Sequence, residues 1–409
     1  MAKFEFHALK LIDLIAETDR CRVLTFAIPE ALQSTFAYLP GQHIIVRTKL
    51  LGEFISRSYS LCGPIVDQQE PSSANAVNHY RQPKTLTIAI KLQPHGCFSK
   101  FATSLSVGDT LEVMPPMGRF YDAAVLSWLQ AAQPSTFKTD QPKAAAIPSQ
   151  TTAKHYLMLA AGSGITPILA NIEALLKLTE QTHLTLLYGN QTQAEMMFAE
   201  RLHILKNQFI ERFSWLNFFS KQHVDLQHCQ GRITAATIEW LMAHHLIPAE
   251  FDQYFICGPL AFNQQMQAFC LARNIKPAQI QLESFDLNAE LNNRSKRIIR
   301  VENDENTVIP KQPQQPIARL KLDGVMHEID IDPTQTKSIL DWGLAQKLAL
   351  PHACKGGVCA TCKAKLIKGS VTMADQVALT EAEMNAGFIL TCQAQAQSDD
   401  IEVDYDDRH

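Results

Sequence analysis

The sequence predicts a multi-domain protein with an antiparallel β-barrel, a doubly wound parallel α/β sheet and a small α+β domain. Three observations predict this order. The chain has 409 residues, which exceeds the usual size of a domain with a single compact core. Its first part contains short apolar or alternating runs, and its second part alternates strand and helix patterns. Its last part places a group of cysteines after a helical segment.

Residues 1–121 form the predicted barrel domain. Their apolar or alternating runs are short and are separated by Pro and Gly, which is typical of an antiparallel barrel. The runs are CRVLTFAI, HIIVRTKL, SRSYSLC, TLTIAIKL and DTLEVM.

Residues 155–295 show strand-like runs that alternate with helical segments. A parallel doubly wound sheet with helices on both faces is predicted by the order YLMLA, PILANIEALLKLT, HLTLLYG, AEMMFAERLHILKNQ, FSWLNFF, QYFICGP and PLAFNQQMQAFCLARN. Segment 122–154 is rich in Pro, Gln, Ser and Ala, segment 296–316 ends in a Pro/Gln-rich stretch, and both lack periodicity. We interpret the first as a linker or insertion and the second as a linker.

The net charge of −4 is unevenly distributed, because residues 317–409 hold 14 Asp and Glu against 9 Lys and Arg. The acidic ending SDDIEVDYDD suits either a solvated face or a docking surface for a basic partner. The sequence shows neither the basic, aromatic-rich patch of a nucleic-acid-binding protein nor the ~20-residue apolar run of a membrane span. It also lacks a signal-peptide pattern, so we expect a cytoplasmic location, where clustered cysteines usually bind metal or perform redox chemistry.

The segment LAAGSGITP, residues 159–167, has the pattern of a strand, a tight turn and a helix start. Gly162 and Gly164 permit a close backbone approach, and Thr166 followed by Pro167 is suited to begin a helix. Free N–H groups at such a helix start can bind a pyrophosphate. The G-x-G pattern alone suits a structural turn equally well.

Two further glycine-containing turns strengthen the nucleotide interpretation. Cys257 and Gly258 end a later strand, at the carboxyl edge where doubly wound sheets bind nucleotides. By itself, Cys257 would be a small buried apolar residue. Gly96 and Ser99, in HGCFSKF, lie where a turn meets a helix and could present N–H groups to a diphosphate.

The segment SRSYSLCGP places an arginine, an aromatic ring and hydroxyl groups at alternating positions. On a strand, Arg57 and Tyr59 would share one face, and Ser58 and Ser60 the other. An exposed strand is the ordinary interpretation. Beside a nucleotide domain, the same residues could pair with a phosphate, cover a flat ring and hydrogen-bond its nitrogens.

The C-terminal residues 317–409 begin with a hairpin pattern, LKLDGVMHEIDID, and a helical pattern, KSILDWGLAQKLALP. Cys354, Cys359 and Cys362 then follow the C-x4-C-x2-C spacing of plant-type ferredoxins, with Cys392 as the distant fourth thiol. Structural zinc sites usually have two C-x2-C pairs, so zinc is the weaker alternative to a [2Fe-2S] cluster. We expect a small β-grasp, ferredoxin-like fold.

A resemblance over nearly the whole chain is carried, in this order, by RSYSLC, HGCFSKF, VGDTLEVMPPMGRF, AAGSGITPILA, LLYGN, FICGP, ACKGGVCATC and LTCQA. The chain resembles the ferredoxin-NADP+ reductase superfamily with a C-terminal plant-type ferredoxin domain, and within it the reductases of phenylacetyl-CoA epoxidases in phenylacetate degradation. The resemblance implies electron transfer from NAD(P)H, through a flavin and the cluster, to an oxygenase or epoxidase component. Two alternatives stay open: a reductase of another ring-hydroxylating or steroid oxygenase, and a zinc-stapled nucleotide-binding interaction protein.

The resemblance also implies residue roles. Arg57 would bind the flavin phosphate, and Tyr59 and Ser60 would lie at the isoalloxazine ring. We expect Ser60 and Cys257 to be catalytic, on the flavin and nicotinamide sides. The expected ligands are Arg57, Ser58, Tyr59, Ser60, Gly96, Cys97, Phe98 and Ser99 for FAD, Gly162, Gly164, Thr166, Ser220, Lys221, Cys257 and Gly258 for the nucleotide, and Cys354, Cys359, Cys362 and Cys392 for the cluster.

The chain departs from the family pattern at positions that bear on coenzyme choice. Gln191 follows YGN where relatives often have arginine, and Ser220 with Lys221 stands where a Ser-Arg pair commonly binds a 2'-phosphate. Lysine still pairs with a phosphate, although without the bidentate fork of arginine. We expect NADPH, with NADH as the alternative, and FAD rather than the FMN of relatives with this domain order.

Overall fold

The computed structural model of the chain comprises two compact units, Met1–Phe285 and Asp286–His409. Most of the Pro/Gln-rich insertions and two predicted cluster ligands, Cys354 and Cys359, lie outside the described residues. The described residues are 6–50, 53–63, 80–93, 96–123, 125–126, 153–178, 181–223, 229–284, 297–301, 316–352, 355, 357, 360–373, 379 and 381–407.

The first sheet of the N-terminal unit is a six-stranded antiparallel barrel, as predicted. Its strands are β1 (His7–Thr18), β2 (Cys21–Ala27), β3 (His43–Leu50), β4 (Glu53–Ser60), β5 (Thr85–Lys91) and β6 (Thr110–Met117). The strand order is β4-β3-β6-β1-β2-β5. A bridge between Leu61, just after β4, and Ile88 in β5 closes the sheet on itself. Helix α1 (Cys97–Ser104) lies between β5 and β6.

Strand β1 had no predicted counterpart, whereas the other five strands of the barrel were predicted. Only Leu9 and Leu11 of β1 are fully buried. The pairing of β1 with β2 shifts register twice, between Leu11 and Asp13 and between Ala16 and Thr18. Each shift exchanges the inward and outward faces, so the apolar residues do not alternate regularly.

The second sheet of the N-terminal unit has five parallel strands, in the order β11-β10-β7-β8-β9. They are β7 (Lys154–Ala161), β8 (Thr182–Asn190), β9 (Phe213–Phe219), β10 (Gln253–Gly258) and β11 (Ile280–Ser284). The associated helices are α2 (Ile165–Leu178), α3 (Ala199–Gln208), α4 (Ala235–Ala243) and α5 (Leu260–Ala272). The strand order reverses between β7 and β10, and such a reversal creates the crevice in which doubly wound sheets bind ligands.

Alternate residues of β7 pack on opposite faces of this sheet. Tyr156 and Met158 belong to the core that includes buried residues of α2 and α3. Leu157 and Leu159 belong to the core formed with α4 and α5. Helices therefore cover both faces, which confirms the doubly wound prediction. Helix α4 and the edge strand β11 had no predicted counterpart, and the half-buried pattern of β11 explains its weak signal.

The C-terminal unit is a mixed seven-stranded sheet. Its elements are β12 (Arg297–Val301), β13 (Ile317–Leu322), β14 (Val325–Asp330), α6 (Ile339–Ala345), β15 (Lys363–Met373), α7 (Glu381–Asn385), β16 (Phe388–Leu390), β17 (Ala394–Ala396) and β18 (Asp400–Asp404). Strands β13 and β18 are parallel, and the other pairs are antiparallel. Residues of α6 pack on this sheet, which gives the expected β-grasp arrangement.

Two details of the C-terminal unit differ from the sequence analysis. Strand β12 lies inside the segment 296–316, interpreted as a linker, and it pairs with β15 along all five of its residues. The predicted helix is shorter than its pattern, because Lys347 adopts a φ of 65° soon after α6 ends. The predicted hairpin is confirmed, and its turn uses Asp323 and Gly324, both with positive φ.

Among the helices that the structure describes, none is long and apolar enough to cross a membrane.

Candidate functional site

Strand β4 carries four of the predicted flavin ligands. Arg57 Nη1 donates a hydrogen bond to Ser56 O at 2.8 Å. The hydroxyl oxygens of Ser58 and Ser60 are buried and have no hydrogen-bond partner among the described residues. Because a buried polar atom without a partner is unfavourable, these hydroxyls are suited to bond a cofactor that has polar ring edges. The residues of β4 therefore fit a flavin.

The Tyr59 ring connects this strand to helix α1. Its centroid lies 5.6 Å from that of Phe98, with the ring planes tilted by 44°. Burial raises the pKa of the Tyr59 phenol above its ordinary value, although the charge of Arg57 opposes this effect. The phenol is therefore neutral at physiological pH. The contact brings together the predicted flavin strand and the predicted diphosphate turn.

The predicted diphosphate turn ends at the start of α1. Ser99 Oγ accepts a hydrogen bond from Gln93 N at 3.0 Å, and a Cβ on Gly96 would lie only 2.9 Å from that oxygen. Gly96, at the N-cap position of α1, has no side chain that could cap the first N–H groups. Such groups suit an anion. The side chain of Cys97 lies outside the described residues, so nothing is assigned to its thiol.

The predicted nucleotide turn lies at the crevice between β7 and β10. Gly162 has a φ of 55°, in the left-handed region. A Cβ on Gly164 would lie 2.0 Å from Cys257 O, and a Cβ on Gly258 would come within 2.9 Å of the Ala161 side chain. The turn after β7 therefore lies directly against the backbone at the end of β10, and only glycine permits this approach.

Thr166 does not cap the helix as predicted. Helix α2 begins at Ile165, directly after the 3-10 turn Gly162–Gly164, so Thr166 lies in its first turn. Its hydroxyl donates to Ser163 O at 3.0 Å. The predicted order of strand, turn and helix is confirmed, since β7 ends at Ala161, directly before the turn.

Cys257 is fully buried at the end of β10. Burial raises the pKa of its thiol well above the ordinary value, and the charge of Glu283 adds to the rise. The side chain is therefore a neutral thiol, not a thiolate nucleophile.

The structure adds a buried imidazole–carboxylate pair that the sequence analysis missed. His43 in β3 pairs with Ser60 in β4, and Glu283 in β11 pairs with Cys257 in β10. His43 Nδ1 lies 3.6 Å from Glu283 Oε1, and the two side chains are 7% and 15% exposed. His43 Nε2 and Glu283 Oε2 have no hydrogen-bond partner in the described part of the chain. The pair thus links the strands of both predicted catalytic residues.

Lys91 is a second residue that the sequence analysis missed. It ends β5, and its Nζ lies 3.2 Å from the position that a Cβ on Gly162 would occupy. An ammonium group beside a glycine-rich turn favours an anion there. Its only sequence signal is a lysine at the end of an apolar run, which equally suits a solvated strand end.

Ser220 and Lys221 lie at the carboxyl edge of the parallel sheet, just after β9. Their N–H groups donate to the backbone at the end of β8, at 3.0 and 2.8 Å. Gly231 N donates to the last carbonyl of β9 at 2.8 Å, which brings Arg232 to the same edge. Lys221 and Arg232 are both exposed. Two cations and a hydroxyl therefore gather at one strand end, and the sequence analysis missed Arg232.

Two of the four predicted cluster ligands are described, and they are adjacent. Cys362 and Cys392 are 2% and 8% exposed. Thr391 N and Thr391 Oγ1 both donate to Cys362 O, at 3.1 and 3.0 Å. Cys354 and Cys359 lie outside the described residues, so the structure shows half of the predicted set. Buried thiols at this spacing fit an iron-sulfur cluster.

The described residues of the cysteine loop are tightly curled. Lys355, Gly357 and Ala360 have φ values of 52°, 72° and 54°. Gln393 Nε2 donates to Lys355 O at 2.7 Å and lies 3.7 Å from Cys392 Sγ. Gln393 therefore ties the loop to the fourth cysteine. An N–H group near a ligating sulfur is one way in which proteins adjust a cluster's reduction potential.

The acidic ending forms β18 and the residues after it, and its carboxylates are largely paired. Four ion pairs of 2.5 to 2.9 Å join them to β13 and β15, namely Arg319–Asp400, Lys321–Asp404, Lys365–Asp407 and Lys368–Asp400. The structure therefore favours a solvated face with ion pairs over an uncompensated acidic docking surface.

Three family models match the chain. They are an oxidoreductase FAD-binding domain over residues 8–121, an oxidoreductase NAD-binding domain over 158–268 and a 2Fe-2S iron-sulfur cluster binding domain over 320–397. The last match spans all four predicted cluster cysteines and favours the cluster over zinc.

Two curated proteins and one solved structure match the chain over nearly its whole length. The chain is 33% identical over 402 residues to one of the subunits of the 1,2-phenylacetyl-CoA epoxidase of Escherichia coli (strain K12), with 98% of each chain covered. It is 27% identical over 409 residues to the ferredoxin reductase component of 3-ketosteroid-9-alpha-monooxygenase of Mycobacterium tuberculosis (strain ATCC 25618 / H37Rv), covering 98% of this chain and 96% of that one. Among solved structures, phthalate dioxygenase reductase matches with a TM-score of 0.51 at 19% identity and 98% coverage of both chains. The last likeness confirms the fold.

Proposed function

Because the chain belongs to the ferredoxin-NADP+ reductase superfamily and carries a C-terminal [2Fe-2S] ferredoxin domain, we propose that it is the reductase of a phenylacetyl-CoA epoxidase. At the coarser level, it is an NAD(P)H-dependent oxidoreductase of the kind that serves oxygenase systems. The observation that carries the finer assignment is the likeness, over nearly the whole chain, to the epoxidase component of Escherichia coli. A steroid oxygenase is the second candidate acceptor, supported by the weaker full-length likeness.

The chemistry of the acceptor and donor explains why one chain combines these domains. A pyridine nucleotide gives up two electrons together, whereas an iron-sulfur cluster accepts one at a time. Bound FAD supplies the conversion between the two, because it accepts electron pairs and releases single electrons. The chain's own residues bind, orient and shield these groups.

On the flavin side, β4 and α1 form the binding surface. The Arg57 guanidinium neutralises a flavin phosphate, and the Tyr59 ring covers the flat ring system. The Ser60 hydroxyl, which lacks a partner among the described residues, donates to the ring edge. The uncapped N–H groups after Gly96 bind the diphosphate, which favours FAD over FMN.

On the nucleotide side, the turn of Gly162 and Gly164 admits the pyrophosphate, and Lys91 contributes a positive charge. Lys221 and Arg232 bind the 2'-phosphate, with help from the Ser220 hydroxyl. This cluster of cations is the reason that we favour NADPH over NADH.

On the nicotinamide side of the site, the neutral Cys257 thiol would pack against the bound ring and exclude water. When bound, the nicotinamide coenzyme would supply two electrons and one proton. His43 and Glu283 form a buried pair beside Ser60, and His43 Nε2, which has no hydrogen-bond partner among the described residues, would accept that proton. In the C-terminal unit, Cys354, Cys359, Cys362 and Cys392 hold the cluster.

Acceptor-dependent coenzyme oxidation tests the proposal. The purified reductase is mixed in separate assays with the oxygenase components of a phenylacetyl-CoA epoxidase and of a 3-ketosteroid 9α-hydroxylase, each with its substrate, and with NADPH or NADH. We expect NADPH oxidation coupled to epoxide formation, with little product in the steroid assay. Coupled turnover with the steroid system alone would refute the finer assignment. An absorption spectrum without flavin and iron-sulfur bands would refute the coarser one as well.

A further inference from the structure

Arg201 makes a three-way contact inside the N-terminal unit. It lies in α3, and its Nε donates to Glu173 Oε1 in α2 at 2.5 Å. Its Nη2 donates to the other Glu173 oxygen, and its Nη1 donates to Cys62 O at 2.5 Å. The Arg201 and Glu173 side chains are 14% and 6% exposed. One guanidinium thus binds both oxygens of a buried carboxylate and a carbonyl of the barrel.

The barrel end of this contact belongs to the predicted flavin strand. Cys62 follows β4 by two residues and therefore continues directly from Tyr59 and Ser60. Its N–H donates to Thr87 O at 3.0 Å, and Tyr38 Oη donates to the next carbonyl, that of Gly63, at 2.6 Å. The end of β4 is thus fixed to the barrel by its neighbours and to the nucleotide sheet by Arg201.

The other end of the contact belongs to the helix that begins at the nucleotide turn. Glu173 lies in α2, which starts immediately after Gly164. The same helix is held to the barrel at a second point, because Asn171 Nδ2 donates to Phe120 O at 2.9 Å. Asn171 is fully buried. Helix α2 is therefore joined to the barrel directly through Asn171 and, two positions further on, indirectly through Glu173 and Arg201.

Arginine is required for this geometry. Its planar guanidinium has donors in a fixed fork, so one side chain can bind a carboxylate through two N–H groups and a carbonyl through a third. A lysine keeps the charge but has no such fork. The charge and hydrogen bonds of Glu173 outweigh the effect of burial, which by itself would lower the pKa of Arg201, and the pKa is raised overall. The guanidinium is therefore always charged.

We propose that Arg201, with Glu173 and Cys62 O, is a positioning device that sets the separation between the flavin strand and the nucleotide turn. This inference rests on the proposed transfer of a hydride from NAD(P)H to the flavin. The rate of such a transfer depends steeply on the distance and alignment of the reacting atoms. Neither Arg201 nor Glu173 is among the residues assigned to flavin or nucleotide binding. Loss of the contact should therefore slow the transfer more than it weakens either cofactor's binding.

The test measures flavin reduction in the full-length holoenzyme by stopped-flow absorbance, with NADPH concentration varied. For Arg201→Lys, we expect the limiting rate to fall by about 10-fold or more, with an NADPH dissociation constant within about 2-fold of wild type. FAD content and the rate of reduction by dithionite should be unchanged, because neither depends on the position of the nucleotide. A deuterium isotope effect from NADPH labelled at C4 should increase.

Arg47→Lys is the matched control. Arg47 binds both oxygens of Glu112 through its Nε and Nη2, at 3.0 Å each, and this pair joins two strands of the barrel, β3 and β6. The substitution should leave the limiting rate within about 2-fold of wild type, since the ion pair that it changes lies within one sheet. If Arg201→Lys does not fold, Glu173→Gln tests the same contact, because it keeps the shape but removes the carboxylate's charge.

Three results would overturn the inference: a wild-type limiting rate in both Arg201→Lys and Glu173→Gln, a raised dissociation constant with an unchanged limiting rate, or an equal loss in Arg47→Lys. Failure of the wild-type protein itself to reduce its flavin with either coenzyme would instead refute the proposed function. The two failures are therefore distinguishable.

Discussion

The two units of the molecule encode their sites in different ways. In the C-terminal unit, the predicted cluster ligands lie between Cys354 and Cys392, and three of them fall in one short loop. In the N-terminal unit, the site combines residues from β3, β4, β5, β10 and β11, which come from two different sheets. The first kind of site is a local motif, and the second exists only after the chain has folded. We therefore expect substitution of a single ligand to impair the cluster site of the C-terminal unit selectively. A change in backbone packing should impair the site of the N-terminal unit.

The largest expected effect is that of Cys392→Ser. Replacing a buried thiolate ligand by a hydroxyl should prevent stable assembly of the cluster, so electron transfer to the oxygenase should fall by about 100-fold or more. Flavin reduction by NADPH should stay within about 2-fold of wild type, because the residues assigned to it all lie in the N-terminal unit. Electron paramagnetic resonance detects the reduced cluster, and stopped-flow absorbance measures flavin reduction.

Cys229→Ser is the control for this prediction. Cys229 is also buried, but it lies in the N-terminal unit and away from the C-x4-C-x2-C motif. It should lower stability without removing the cluster signal. An equal loss of flavin reduction and acceptor reduction in Cys392→Ser would show that the two units do not divide the work as proposed.

The same contrast explains what the sequence could predict. Cysteine spacing, the alternating run around Tyr59 and the glycine turn at Gly162 are local patterns, and the last two correspond to elements that the structure describes. His43, Glu283 and Lys91 carry no local signal. A histidine after PGQ or a glutamate at the end of an edge strand acquires meaning only from the partner that the strand order brings to it.

Strands β1 and β12 were not predicted, for a related reason. The register shifts in β1 remove the regular alternation that marks a strand. Strand β12 lies in a segment of linker-like composition, and it is a strand because β15 pairs with it. In both places, the decisive information lies in a neighbouring strand.

Gly164→Ala should have a smaller effect, and it should affect only the nucleotide site of the N-terminal unit. The added Cβ would lie 2.0 Å from Cys257 O, so the ends of β7 and β10 must move apart. We expect a loss of about 1–3 kcal/mol in the free energy of unfolding and a nucleotide dissociation constant raised by about 10-fold. Thermal denaturation and titration with NADP+ measure these two quantities. Cluster content should not change.

Gly189→Ala provides the comparison for this substitution. Gly189 lies in the adjacent strand β8, where a Cβ would make an ordinary contact of 3.4 Å with Ile233. It should leave the nucleotide dissociation constant near the wild-type value. If Gly164→Ala binds NADP+ as tightly as Gly189→Ala does, the close approach of the two strand ends does not form the nucleotide site.

The smallest effect should come from the charges of the C-terminal unit, which contrast with the buried Arg201–Glu173 pair. Asp404 Oδ2 accepts a hydrogen bond from Lys321 Nζ at 2.9 Å, and Asp404 Oδ1 accepts one from Asp406 N at 2.7 Å. Burial would raise the pKa of Asp404, but these bonds and one from the N–H of Asp407 outweigh it and hold the pKa below its ordinary value. A carboxyl whose pKa is lowered on folding stabilises the protein above its unfolded pKa of about 4, and this contribution is lost as the pH falls through the folded value.

Asp404→Asn should therefore lower the unfolding temperature by only about 1–2 °C near neutral pH, since ion pairs at a surface contribute little. The difference from wild type should shrink as the pH falls below the ordinary pKa of aspartate and disappear below the lowered pKa of the folded Asp404 carboxyl, where the wild-type side chain is itself protonated. Differential scanning calorimetry at several pH values measures this convergence, with the exposed neighbour Asp399→Asn as the control. A difference that persists in acid would mean that Asp404 acts through the shape of the turn after β18. In that case, the proposed difference between the buried Arg201–Glu173 pair, which positions two sheets, and the surface ion pairs of the C-terminal unit, which add little stability, would need another explanation.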